Sequence, residues 1–221
     1  MQLLTVTPDP AHEPLLEAFH RGIYADAFAG PQREPLDAWR RGLRGEQPYH
    51  QTIRLALEGG EVVAGISYER YPRSGCGLVT YMVVAPRVRR AGLGRRLQAE
   101  AAAELFAAGA AEVFGEVDDP RPLRGAAADV AWARLERNQR WGARVLGPPA
   151  RYVQPELGPG LGRDRGLLLI ALAGPAPLPA ALDGALPRRF AEELYAATEG
   201  GPPDAEVAFP DRVPLIELHR T

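Results

Sequence analysis

The chain contains no lysine, so arginine supplies every strong positive charge. A Walker-type phosphate loop ends in Gly-Lys-Ser/Thr, and that nucleotide site is therefore excluded. Cysteine is nearly absent as well, with Cys76 standing alone. A lone cysteine excludes an internal disulfide framework and a four-cysteine zinc site. It fits a reducing, cytoplasmic setting. Cys76 falls in a glycine-rich turn and reads as structural rather than as an acyl carrier. His12, His20, His50 and His219 are scattered without ligand spacing, so no metal is expected. No apolar run approaches the ~20 residues that span a bilayer. The N-terminus lacks a basic stretch followed by an apolar core, so no signal peptide is expected. With a formal net charge of −2, no global basic field attracts nucleic acid.

What remains is a chain of 221 residues, 46% hydrophobic and 24% charged, long enough to bury a real core. The 24 glycines, 22 prolines and arginine-only basicity suggest a GC-rich coding genome, so single arginines carry little weight. Periodicity predicts strands over 3–7, 53–57, 62–71 and 78–85, with a glycine turn at 58–61 between the second and third. Helices are predicted over 13–29, 35–43, 94–108 and 126–141, with Gly109 and Gly142 as stops. Further strands are predicted over 111–117, 144–153 and 166–173. This order implies an α/β (α+β) fold: a mixed, mostly antiparallel central sheet flanked by helices. Residues 1–173 read as one domain. Residues 174–221 read as a C-terminal extension with a linker, an amphipathic helix and a short strand. That extension either packs on the domain or makes a homodimer contact or acceptor lid.

The most informative stretch runs from Val83 to Leu97. A β-branched strand ends at Pro86, an arginine-rich loop follows with Gly92 and Gly94, and a helical pattern starts at once. Strand, glycine loop and helix N-terminus together make an anion site: glycines admit the backbone, and the unpaired N–H groups of the first helical turn point at the anion. A dinucleotide fingerprint would need a third glycine where Leu97 stands, so that pattern fails. The remaining motif, Arg89-x-x-Gly92-x-Gly94 after a Val-x-Pro strand end, resembles the pyrophosphate-binding motif of the GCN5-related N-acetyltransferases, the GNAT superfamily. The element order over residues 3–173 agrees with that resemblance.

The resemblance implies acetyl-coenzyme A as co-substrate and acetyl transfer to a small-molecule or peptide amine by direct attack, with no covalent enzyme intermediate. It places the pyrophosphate on Arg89, Arg90, Ala91, Gly92, Leu93, Gly94 and Arg95, with Arg87 and Arg96 as further phosphate candidates. It places the pantetheine arm along Met82, Val83 and Val84, with a backbone N–H of Val83 or Val84 for the oxyanion. Glu116, before Val117, matches the family's general base, with Asp118 and Asp119 as alternatives. Leu78 stands where other members carry a glutamate early in the central strand. The family's usual tyrosine acid is replaced by Asn138. Tyr152 or Tyr81 could serve instead, though buried tyrosines are usually packing. Residues 25–50 would line the acceptor pocket, and Asp26, Glu34 and Asp37 suit a cationic amine. Two other readings stay open: a catalytically weak acyl-CoA-binding module, and a nucleic-acid-binding module, which the charge disfavours.

Overall fold

A computed structural model describes residues 1–28, 32–89 and 92–220. Its elements in chain order are β1 (Gln2–Thr5), α1 (Glu13–Phe19), a π-helical turn (His20–Tyr24), α2 (Ala25–Ala27), α3 (Leu36–Leu43), β2 (His50–Glu58), β3 (Glu61–Tyr71), β4 (Cys76–Val84), α4 (Leu93–Ala107), β5 (Glu112–Asp118), α5 (Gly125–Arg140), β6 (Arg144–Leu146), β7 (Leu167–Ala171), β8 (Ala181–Asp183), α6 (Ala185–Thr198) and β9 (Arg212–Ile216). The strands form one sheet in the order β1-β2-β3-β4-β5-β7-β6-β9-β8. Among the described residues, β4 and β5 make the only parallel pair, over residues 76–79 and 112–115. The mixed, mostly antiparallel sheet matches the expected class.

Three sequence expectations are corrected. The helix expected over 13–29 breaks at Gly22, whose φ of −96° and ψ of −113° lie outside the helical region. Glycine tolerates that departure, and the break turns Tyr24 inward. The strand expected over 144–153 stops at Leu146, because Pro148 and Pro149 have no N–H to donate. Arg151 and Gln154 then make only isolated bridges, to Ala208 and Asp164. Cys76 is not in a turn but is the first, fully buried residue of β4. Burial, reinforced by Glu112 and Glu193, pushes its thiol up to about 12, so it stays protonated and inert.

Each face of the sheet carries its own helices. Helices α4 and α5 cover one face, with Leu97, Ala101 and Leu105 meeting Val63, Val79 and Val113. Helices α1 and α3 cover part of the other, where Phe19 and Trp39 meet Leu55 and Tyr81. Helix α6 covers the rest of that second face, packing Phe190 and Leu194 beside Tyr71, Leu78 and Phe114. The residues beyond 173 also extend the sheet itself, since β9 pairs with β6. Phe190 is fully buried, 5.0 Å from the Phe114 ring and 5.5 Å from the Tyr71 ring. Phe190→Ala is expected to cost about 3–5 kcal/mol, as for other buried aromatics. Denaturant unfolding measures it; a loss below about 1 kcal/mol would mean that this helix adds little to the core.

One irregularity decides where side chains point. Along β3, Ser67 pairs with Tyr81 but Tyr68 pairs with Val79, so Thr80 is an extra residue in β4. A bulge of this kind reverses the alternation of the strand. Before it, Leu78 faces the α6 side and Val79 the α4 side. After it, Tyr81 and Val83 face the α1 side, while Met82 and Val84 face α4. Thr80 is held by its own hydroxyl, which donates to Ser67 O at 3.0 Å.

Candidate acetyl-transfer site

Strands β4 and β5 part company after Val79 and Gly115. Residues 81–84 therefore pair with β3 on one side only, and their other backbone edge faces an open cleft. That cleft encloses about 920 Å³ between β4, β5 and the N-terminal end of α4 on one side and α5 on the other. Met82, Val83, Val84, Arg89, Gly92, Leu93, Gly94 and Arg95 all line it, so the predicted loop and strand residues meet in one place. Arg90 and Ala91 lie outside the described residues.

The two glycines do different work. Gly92 caps α4 with a left-handed φ of 74°, and a Cβ there would touch nothing within 4 Å. It supplies the left-handed backbone conformation that opens the helix. A Cβ on Gly94 would lie 3.4 Å from the Trp141 ring, 3.5 Å from Val84 and 3.8 Å from Met82. Gly94 thus keeps the floor of the cleft open.

The arginines divide in the same way. Arg87 pairs with Glu61 at 2.7 Å and Arg96 with Glu100 at 2.7 Å, both on the exposed surface and away from the cleft. Arg89 donates from Nε to Val84 O at 3.0 Å and, with Arg95, lines the cleft. Three arginines missed in the sequence join them from α5: Arg134, Arg137 and Arg140. Their spacing puts them along one side of that helix, which was the available signal. Arg134 is paired with Asp118 at 3.0 Å. Partial burial, then the charges of Arg134, Arg89 and Arg140, hold the Arg137 guanidinium below its ordinary value. Arg140 lies 3.9 Å from Glu136, while among the described residues Arg89, Arg95 and Arg137 make no ion pair, and their positive charge in a concave site suits an anion.

Glu116 stands at the first position after the strands separate, half-buried. Tyr152 donates its hydroxyl to Oε1, and Gln154 Nε2 donates to Oε2 at 2.9 Å. Burial raises the carboxyl above its usual value, while these two hydrogen bonds oppose the rise. Tyr152 itself does not line the cleft; it is packed in the core behind Glu116. Asn138 does line the cleft, but its amide is engaged at both ends. Nδ2 donates to Arg134 O at 3.0 Å and Oδ1 accepts from Gln98 Nε2 at 3.2 Å. Asp118 is committed to Arg134, and Asp119 holds its own turn by accepting from the Arg121 N–H at 3.0 Å.

Beside Glu116 lies a second, small recess of about 30 Å³. Tyr81, Thr80, Gln154 and Glu116 line both spaces. Of the acceptor-side acids expected from the sequence, Glu34 reaches this recess. Asp37 is exposed and paired with Arg40 at 2.7 Å, and Asp26 lines neither space. The recess also holds Glu69 and Tyr49, which the sequence did not single out.

The sequence profile of the Acetyltransferase (GNAT) family matches residues 16–127. The chain belongs to this family. It therefore stands among the acyltransferases, and the Arg–Gly loop and Glu116 both lie inside the matched region. No curated protein matches the chain. Among solved structures, a GNAT-family protein from Bacteroides thetaiotaomicron superposes with a TM-score of 0.62 at 17% identity, covering 91% of this chain and 99% of that one. A GNAT-family protein from Desulfovibrio desulfuricans gives 0.50 at 19% identity, covering 78% of this chain and all of its own (100%). Tetrahymena GCN5 gives 0.50 at 13% identity, covering 78% and 97%. At such identities the likeness establishes the fold. Among the described residues no group of side chains is arranged to hold a metal ion, and no helix is long and apolar enough to cross a membrane.

Proposed function

We propose that this GNAT protein moves an acetyl group from acetyl-coenzyme A to a primary amine, with Glu116 as the general base. The carrying observation is the single cleft that runs from an arginine-lined anion site to a half-buried carboxylate at the parting of β4 and β5. Its residues fit coenzyme A on two counts. Gln98 lines the cleft with a buried Oε1 that has no donor among the described residues, suited to an amide N–H of the ligand. Gly94 leaves a hollow that a Cβ would begin to fill.

When bound, acetyl-coenzyme A supplies an activated thioester. The N–H groups around Gly92, Leu93 and Gly94 would hold its pyrophosphate, with Arg89, Arg95 and Arg137 around its phosphates. The one-sided backbone edge of residues 81–84 would take the pantetheine amides as an added strand takes its partners. Of the two expected backbone donors, Val84 N–H would hold the oxyanion: Ala85 N–H bonds Val63 O, so Val83, two residues earlier, also faces β3, while Val84 faces the open edge. Glu116 takes the proton that the attacking amine must lose. Tyr152 is a positioning residue in this reading: its hydrogen bond aims Glu116 and keeps the carboxylate from rising too far. Asn138 cannot give up a proton, so water would protonate the departing thiolate. The engaged amide of Asn138 is also what favours the second reading, an acyl-CoA-binding module with little turnover.

A binding titration tests the anion site. Arg95→Ala and Arg137→Ala are each expected to weaken coenzyme A about tenfold, in the range of one charge-assisted contact. The loss should shrink as salt rises. Arg87→Ala and Arg96→Ala should leave affinity unchanged, since their side chains point elsewhere. If 3′-dephospho-coenzyme A loses as much as coenzyme A, the arginine serves the pyrophosphate. Equal binding by all four variants would overturn the placement.

A further inference from the structure

The recess behind Glu116 has a composition that acetyl transfer to a simple amine does not use. Glu34 is 9% exposed, Glu69 3% and Tyr49 5%, and all three line it. Burying carboxylates in an apolar surround is costly unless a cation accompanies them. Among the described residues, no arginine or histidine lines the recess. Arg41 acts on Glu34 only from outside it. Burial accordingly pushes Glu34 up to about 7, against the lowering effects of the Trp39 hydrogen bond and Arg41, and pushes Glu69 well above its usual range, with the Glu34 and Glu116 charges adding to the rise.

The hydrogen bonds already made leave a definite set of acceptors. Glu34 Oε2 accepts from Trp39 Nε1 at 2.7 Å, and Glu69 Oε2 accepts from the Tyr71 hydroxyl at 2.6 Å. Among the described residues, no hydrogen bond reaches Oε1 of either carboxylate, and none involves the Tyr49 hydroxyl. Glu116, by contrast, has both oxygens occupied. Three acceptors without donors therefore surround about 30 Å³. An ammonium group brings three N–H donors and is about the size of a water molecule, which that volume holds. A guanidinium is too large. The tyrosine rings of the wall add favourable surroundings for a cation.

We propose that the recess seats a second ammonium group, so that the acceptor is a slim, unbranched diamine. This rests on the acetyl-transfer reading above, because it places the reacting amine beside Glu116 at the mouth that the recess and cleft share. The second amine then lies deeper, between Glu34, Glu69 and Tyr49. The site discriminates against a monoamine because such a ligand puts no cation in the recess, leaves its acids protonated and forgoes the ion pairs that a second ammonium would make there.

The test uses the full chain and acetyl-coenzyme A with three acceptors of one length: 1,4-diaminobutane, 1-aminobutane and 4-amino-1-butanol, extended to diamines of three to six carbons. Thiol release is expected to give the best diamine a kcat/KM at least about a hundredfold above its monoamine and amino alcohol, carried mainly in KM. Glu69→Gln keeps the shape and the Tyr71 hydrogen bond, and should bring that ratio close to one. Tyr49→Phe, a milder change, should lower the ratio by about tenfold. Calorimetry with the diamine on the coenzyme A complex gives a readout free of turnover: saturable heat in the wild type, lost in Glu69→Gln. Equal kcat/KM for diamine and monoamine, with acetyl transfer intact, overturns the second-ammonium seat and leaves the transfer reading standing. Failure to bind acetyl-coenzyme A overturns the transfer reading instead. The calorimetric titration of the free protein then decides the recess alone: saturable diamine heat supports the seat, and its absence overturns it.

Discussion

Glu116→Gln is expected to lower turnover about a hundredfold, the lower range for loss of one general base. Acetyl-coenzyme A affinity should stay within about twofold, because the loop and arginines that would hold the phosphates lie elsewhere along the cleft. Glutamine keeps the volume and can still receive the Tyr152 hydroxyl, so the fold is preserved. The pH profile carries the sharper test. A base works deprotonated, so the rate falls as pH drops through its pKa. Burial raises the Glu116 carboxyl and the Tyr152 and Gln154 hydrogen bonds lower it. Tyr152→Phe removes one of the lowering contacts, so the acid limb should move to higher pH with the maximum rate largely kept. In Glu116→Gln that limb should vanish. Wild-type turnover by the glutamine variant on a good acceptor would shift the role to water.

Gly94→Val is expected to weaken acetyl-coenzyme A by at least about a hundredfold while the protein stays folded. The position has ordinary helical geometry, and valine is a better helix residue than glycine, so local stability does not suffer. Its Cβ would meet Trp141, Val84 and Met82 at 3.4–3.8 Å, which is ordinary contact. The added methyl groups project over the floor of the cleft where the ligand would lie. Gly92→Ala is the informative contrast. It acts through a φ of 74° and costs about 1–2 kcal/mol of conformational energy, so it should lower the melting temperature as Gly94→Val does not. Calorimetric titration and a thermal melt separate the two. Parent-like binding by Gly94→Val would remove the ligand from this cleft.

Much of this architecture was legible as periodicity and punctuation. Gly59 and Gly60, with φ of 60° and 87°, mark the β2–β3 turn as their sequence suggested. The Arg–Gly loop stands out because it sits where a strand meets a helix, and Glu116 because a glutamate before a valine on its strand matches the family pattern. Glu69 did not. In Ser67-Tyr68-Glu69-Arg70-Tyr71 it looks like the polar half of an alternating strand. Only α6, more than a hundred residues later, covers it. The bulge at Thr80 has no residue signature, yet it decides that Tyr81 rather than Thr80 turns toward Trp39. Arg134, Arg137 and Arg140 were hidden by composition: in a chain whose every basic residue is arginine, three more on a helix do not stand out. Pro148-Pro149 marks the break, while the apolar residues around it keep a strand-like pattern that runs across it.

The lining of the two spaces divides the chain unequally. Every residue of the cleft precedes position 173, whereas Leu194 and Thr198 of α6 help to close the recess. In the proposed reading, natural drift, or a designer, could therefore rewrite the acceptor end through the last quarter of the chain while the phosphate end stays untouched. A change of helix α6 alone would then alter which amine is welcome without retuning the donor. Such partitioning lets one inherited engine acquire new customers, and it makes the C-terminal helix the segment to randomise first in any search for altered selectivity.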